Sequence, residues 1–143
     1  ALWLPPPEET VRVIFQLELL AVLWALIHFG YRLRGSLLRL WIDNEAARFS
    51  IQSGYSANPW AARIISEIWL QVARFNIHLW LERVASKDNI ADGPSRDDWT
   101  LLNQLQIPRE PARLALREAA ALLRQNTALL FGPPRHQLSA GGA

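Results

Sequence analysis

The sequence predicts an α/β domain in which helices pack against a largely parallel sheet. Three observations carry that reading. Short β-branched and aromatic runs alternate with longer segments of helical periodicity, in the order β, α, β, α, α, β, turn. The run Leu37-Leu38-Arg39-Leu40-Trp41-Ile42 reads as a buried strand that ends on a carboxylate, Asp43. Two further carboxylates, Glu18 and Asp92, fall at comparable strand-to-helix positions. In open α/β sheets ligands collect outside the carboxyl ends of the strands, so three acids arriving there point to a metal site at the rim.

Taken in order, residues 1–10 form a Pro-rich entry segment, with Pro5-Pro6-Pro7 favouring an extended path. Val11-Arg12-Val13-Ile14-Phe15 reads as a strand. From Leu17 the pattern becomes helical, and Leu19, Leu20, Leu23, Trp24, Leu26, Ile27 and Phe29 give a broad apolar face that ends at Gly30. Glu18 is expected in the first turn of that helix, where a carboxylate suits the dipole. After the Asp43 strand, Asn44 is placed to cap a helix from Glu45 to Gln52, which Gly54 stops. Asn58 and Pro59 open a helix from Trp60 to Phe75. Its apolar side is Ile64, Ile68, Val72 and Phe75, with Ile65 and Trp69 beside them; Arg63, Glu67, Gln71 and Arg74 make a polar side. Residues 77–84 read as another strand, Ser86 to Asn89 as a loop, and Asn89 as the cap of a short turn holding Asp92. A domain over 11–96 is followed by a tail, 97–143, in which Pro111 to Asn126 has the composition of an amphipathic helix.

Composition narrows the chemistry. With 143 residues the chain supports one domain of ordinary size. The absence of cysteine excludes disulfides, thiolate nucleophiles and cysteine-ligated zinc. No Met stands at position 1 or elsewhere, and the chain reads as a trimmed piece of something longer. Fourteen of the fifteen cations are Arg, which suits phosphate binding and equally follows from a GC-rich genome. Arg48, Arg63, Lys87 and Arg96 are the candidate phosphate contacts, set against the plain reading of solvated surface charge. Seven Trp is a large number; Trp24, Trp41, Trp69 and Trp80 are expected to fill core or an interface. His28 and His78 read as structural, and His136 lies in the tail. The most apolar window, Leu19 to Tyr31, is shorter than the roughly 20 residues a bilayer demands, so no membrane span is expected.

The segments Leu17-Glu18-Leu19-Leu20-Ala21-Val22, Trp41-Ile42-Asp43-Asn44-Glu45-Ala46-Ala47, Ser53-Gly54-Tyr55-Ser56 and Asp88-Asn89-Ile90-Ala91-Asp92-Gly93-Pro94-Ser95-Arg96 share an order and spacing. Together they resemble the ribonuclease H domain attached to retroelement reverse transcriptases, particularly those of tyrosine-recombinase-type elements. The resemblance implies a ribonuclease H-like mixed sheet with flanking helices, N-terminally incomplete, plus the helical tail. It implies a nuclease acting on RNA paired to DNA, with Glu18, Asp43 and Asp92 as catalytic ligands of two Mg²⁺ ions. The family carries a fourth carboxylate, on a first strand that this chain lacks, and a His before the last carboxylate where Arg83, Val84, Ala85 and Ser86 stand here. The isolated chain is therefore expected to be inactive. An upstream segment or another protein chain is the expected partner that completes the sheet. The competing expectation is a non-catalytic remnant that serves as a structural subunit or adaptor.

Overall fold

The computed structural model describes residues 13–109. In chain order these form helix α1 (Val13–Phe29), strand β1 (Leu37–Ile42), helices α2 (Glu45–Ser53) and α3 (Pro59–Arg74), and strand β2 (His78–Arg83). A 3-10 turn at Ser86–Asp88 and two short helices, α4 (Asp92–Ser95) and α5 (Thr100–Gln104), follow. The Pro-rich entry, Val11-Arg12, and the tail beyond Arg109 lie outside the described residues.

The start of α1 corrects the sequence reading. Val13, Ile14 and Phe15 are its first turn and not part of a strand. Strand propensity measures fit to a pleated, half-buried surface, and here helix continuity wins: adding a residue to a nucleated helix costs far less than starting another element. Glu18 consequently sits in the second turn, beyond the helix start expected for it. Leu19, Leu23 and Leu26, spaced at four and three, are fully buried, and Leu20 and Val22 widen the covered face.

The α2 and α3 boundaries follow from local chemistry. Asn44 Oδ1 accepts a hydrogen bond from the Ala47 N–H at 3.0 Å, and Gly54 adopts a left-handed φ of 69° that closes the other end of α2. Asn58 Oδ1 accepts from the N–H groups of both Trp60 and Ala61, and Pro59 occupies the first turn of α3. Ile64, Ile65, Ile68, Val72 and Phe75 enter the core with the α1 leucines.

The polar side of α3 is not all solvated. Glu67 and Gln71 are 2% and 4% exposed, and Gln71 Nε2 donates to Glu67 Oε1 at 2.7 Å. Gln16 of α1 is fully buried as well. The buried part of α3 is therefore wider than its apolar stripe, and the bond between Gln71 and Glu67 pairs two of the polar groups it covers.

β1 and β2 form a parallel two-stranded sheet among the described residues, with Leu37 opposite His78 and Ile42 opposite Arg83. His78 N–H donates to Ser36 O and Val84 N–H to Ile42 O, so even-numbered residues of both strands face each other. Alternate residues of a parallel pair bond to the same side, which leaves the backbone of Leu37, Arg39 and Trp41 on one open edge and that of Leu79, Leu81 and Arg83 on the other. The expected burial of the first strand also changes. Leu38, Leu40 and Ile42 turn toward the helices, whereas Leu37 and Trp41 are 68% and 54% exposed. Trp80 is 58% exposed, so two of the tryptophans assigned to core or interface lie on a sheet face left exposed among the described residues. The remaining pair stays nearer the helices: Trp69 Nε1 donates to Ile51 O at 2.9 Å, and Trp24 is half-buried.

No described helix is long and apolar enough to cross a membrane.

Candidate functional site

β1 delivers Asp43 to its carboxyl end, and the chain turns at once into the α2 cap at Asn44. Beside it, Val84 N–H bonds to Ile42 O, so the chain leaving β2 starts next to the residue before Asp43. That chain runs through the 3-10 turn to Asn89, whose Nδ2 donates to Asp43 Oδ2 at 2.9 Å. Asn89 Oδ1 accepts from the Ala91 N–H, and Asn89 O accepts from the Asp92 N–H at 3.1 Å. One asparagine thus holds the Asp43 carboxylate and shapes the turn that carries Asp92.

α1 supplies the opposite wall. Ile14, Leu17, Glu18 and Ala21 share an open concavity of ≈ 390 Å³ with Asp43, Asn89, Ala91, Asp92 and Ser95. All three carboxylates singled out in the sequence therefore line one depression, although they come from three separate segments. Burial raises the Glu18 pKa, and the neighbouring negative charge of Asp43 raises it further. Asp92 has a cationic neighbour: Arg96 Nη2 lies 3.3 Å from Asp92 Oδ2, with both side chains substantially exposed.

The donor set suits a hard divalent cation in kind, since every ligand would be an oxygen. Glu18 and Asp43 are near enough to feel each other's charge, which is the condition a cation relieves. No group of three His, Asp or Glu side chains stands close enough to hold an ion together among the described residues. The fit is thus to the Glu18–Asp43 pair, with Asp92 on the same rim and tied to Arg96.

The four cationic residues are dispersed. Arg48 chelates Glu45, with Nη2 at 2.7 Å from Oε1 and Nε at 3.2 Å from Oε2, and also reaches Gln52. Arg63 stacks over the Trp60 ring at 5.0 Å. Lys87 lies in the 3-10 turn and lines a neighbouring hollow of ≈ 250 Å³ with Asn89, Asp92 and Asp98. Arg96 is the partner of Asp92. Of the histidines, His28 packs edge-on against Phe29 at 4.5 Å, and His78 is exposed on β2.

Asn89 is the site residue that sequence reasoning missed in its full role. It was legible as a turn cap; its bond to Asp43, 46 positions away, depends on the pairing of β1 with β2. Ile14 and Leu17 were hidden for another reason, because the strand assignment of residues 11–15 placed the start of α1 too late. No family model, curated protein or solved structure matches this chain.

Proposed function

We propose that this chain is a ribonuclease H-like nuclease domain of retroelement origin, which hydrolyses RNA in RNA/DNA hybrids once a first strand from an upstream segment or another chain completes its sheet. The observation that carries the reading is that Glu18, Asp43 and Asp92 line one concavity at the carboxyl end of a parallel strand pair. Glu18 and Asp43 would hold Mg²⁺, with Asp92 joining them on release from Arg96. The chemistry such ions would supply is activation of the attacking water and stabilisation of the leaving oxygen. Asn89 holds the Asp43 carboxylate through Oδ2, and the other oxygen would be the one offered to the ion. A-like hybrid duplexes are read by shape and by backbone contacts, the role proposed for Lys87 and Arg96 beside the concavity, with Arg48 and Arg63 farther along the surface.

The second reading, a remnant that serves as a structural subunit or adaptor, is favoured by the Arg96–Asp92 pair and by the uncovered sheet. An end-labelled RNA strand paired to DNA, incubated in Mg²⁺ with the chain joined to an Asp-bearing upstream strand, separates the two. The nuclease reading expects cleavage of the RNA that Asp43→Asn abolishes. Intact RNA with the folded, strand-completed protein overturns it and leaves the adaptor.

A further inference from the structure

Asp92 is the only aspartate of the chain that precedes a glycine, and no asparagine does. The side chain of an aspartate is open to attack by the nitrogen of the next residue, because the product is an unstrained five-membered ring. Glycine in that place removes the side chain that would shield the nitrogen. The Gly93 N–H donates no hydrogen bond among the described residues, as is usual in the first turn of a helix. At two other aspartates the equivalent nitrogen is engaged: after Asp88, the Asn89 N–H donates to Ser86 O, and after Asp97, the Asp98 N–H donates to Gly93 O.

The fold itself demands the glycine. A Cβ at position 93 would come to 2.7 Å from the Asp98 carbonyl oxygen, and Gly93 O accepts from the N–H groups of both Arg96 and Asp98. The turn around it is weakly held. Helix α4 is four residues long, has no capping side-chain bond and buries none of its residues, so it opens at little cost. The Asp92–Arg96 ion pair restrains the carboxylate, but with side chains 41% and 77% exposed it is a weak restraint.

We propose that Asp92-Gly93 is a site of spontaneous isomerisation through a succinimide. The Gly93 nitrogen bonds to Asp92 Cγ, and the amide hydrogen leaves with the hydroxyl of the protonated carboxyl as water. Water then adds back. Hydrolysis at Cγ restores aspartate, whereas hydrolysis at the Asp92 main-chain carbonyl leaves the chain running through Cγ as isoaspartate, at unchanged mass. The carboxylate then hangs directly from Cα, and the main chain is longer by a methylene. An acid is thereby displaced from the rim of the concavity that Asp92 shares with Glu18 and Asp43. The chemistry is independent of what that concavity binds.

The full chain is held folded in neutral buffer at physiological temperature for several weeks, beside the same chain in urea. Trypsin releases residues 88–96, between Lys87 and Arg96, and electron-transfer fragmentation locates isoaspartate within them. In the folded chain isoaspartate should form at position 92 within about tenfold of its rate in urea, and at least about tenfold faster than at Asp43, Asp88, Asp97 or Asp98. Asp92→Glu should remove the signal, since a six-membered ring closes far more slowly. Persistence of the signal in that variant would assign it to Asp88 or Asn89 and overturn the proposal. Protection of position 92 by more than tenfold in the folded chain would overturn it as well.

Discussion

Asn89 donates from Nδ2 to Asp43 Oδ2 at 2.9 Å and accepts the Ala91 N–H on its other side-chain atom. The residue therefore links the carboxyl end of β1 to the turn after β2, and both links are lost together on truncation. Asn89→Ala should lower stability by about 1–2 kcal/mol, since a hydrogen bond to a charged group and a turn contact disappear at once. Urea unfolding of the two proteins measures it. A difference below a few tenths of a kcal/mol would show that the Asp43 contact is not maintained in solution.

Glu18 has a raised pKa, from burial first and Asp43 second. A carboxylate whose folded pKa exceeds its unfolded value binds more protons in the folded state, so stability falls as pH rises from the ordinary carboxylate value of 4.5 through the folded pKa. Glu18→Gln removes that loss. The variant should be the more stable protein at pH 7, with the gap closing as pH is lowered past the unfolded carboxylate range. Thermal melts at several pH values test this, and a constant gap would contradict it. Partial solvent access makes the effect modest.

Removal of the α3 cap offers a separate measurement. Asn58 is almost fully buried and accepts from two main-chain N–H groups, those of Trp60 and Ala61. Asn58→Ala should cost about 1–2 kcal/mol, whereas Asn58→Asp, which keeps the acceptor, should cost less. Equal losses for the two variants would assign the effect to burial of charge or volume in place of the cap.

Gly30, just past α1, tests the packing at the other end of the molecule. A Cβ added there runs into the Phe75 ring and the Leu26 carbonyl oxygen. Phe75 is itself buried against α1 and meets Tyr31 edge-on at 5.1 Å, so it has little room to yield. Gly30→Ala should destabilise by about 1–3 kcal/mol as overpacking does. Gly30→Ala combined with Phe75→Leu should recover part of that loss.

Much of the architecture was legible because it rests on local chemistry. Asn44, Gly54, Asn58 and Pro59 act on residues within four positions of themselves, and each bounds a helix where the sequence placed it. Asp43 was legible as the residue after a strand, whereas Glu18 reaches the same concavity from the second turn of α1 and not from the strand-to-helix junction expected for it. What was not legible depended on neighbours distant in sequence. Glu67 and Gln71 look like surface residues until the rest of the fold is packed around α3, and Val13–Phe15 look like strand until the helix that follows extends back through them. The exposure of Trp41 and Trp80 has the same origin, since periodicity alone does not say which face of a strand is covered.

The two-stranded sheet leaves a period of two in its own chemistry. Within β1, amide protons at Leu38, Leu40 and Ile42 face β2, while those at Leu37, Arg39 and Trp41 face outward. Deuterium uptake along six consecutive residues should accordingly alternate fast and slow.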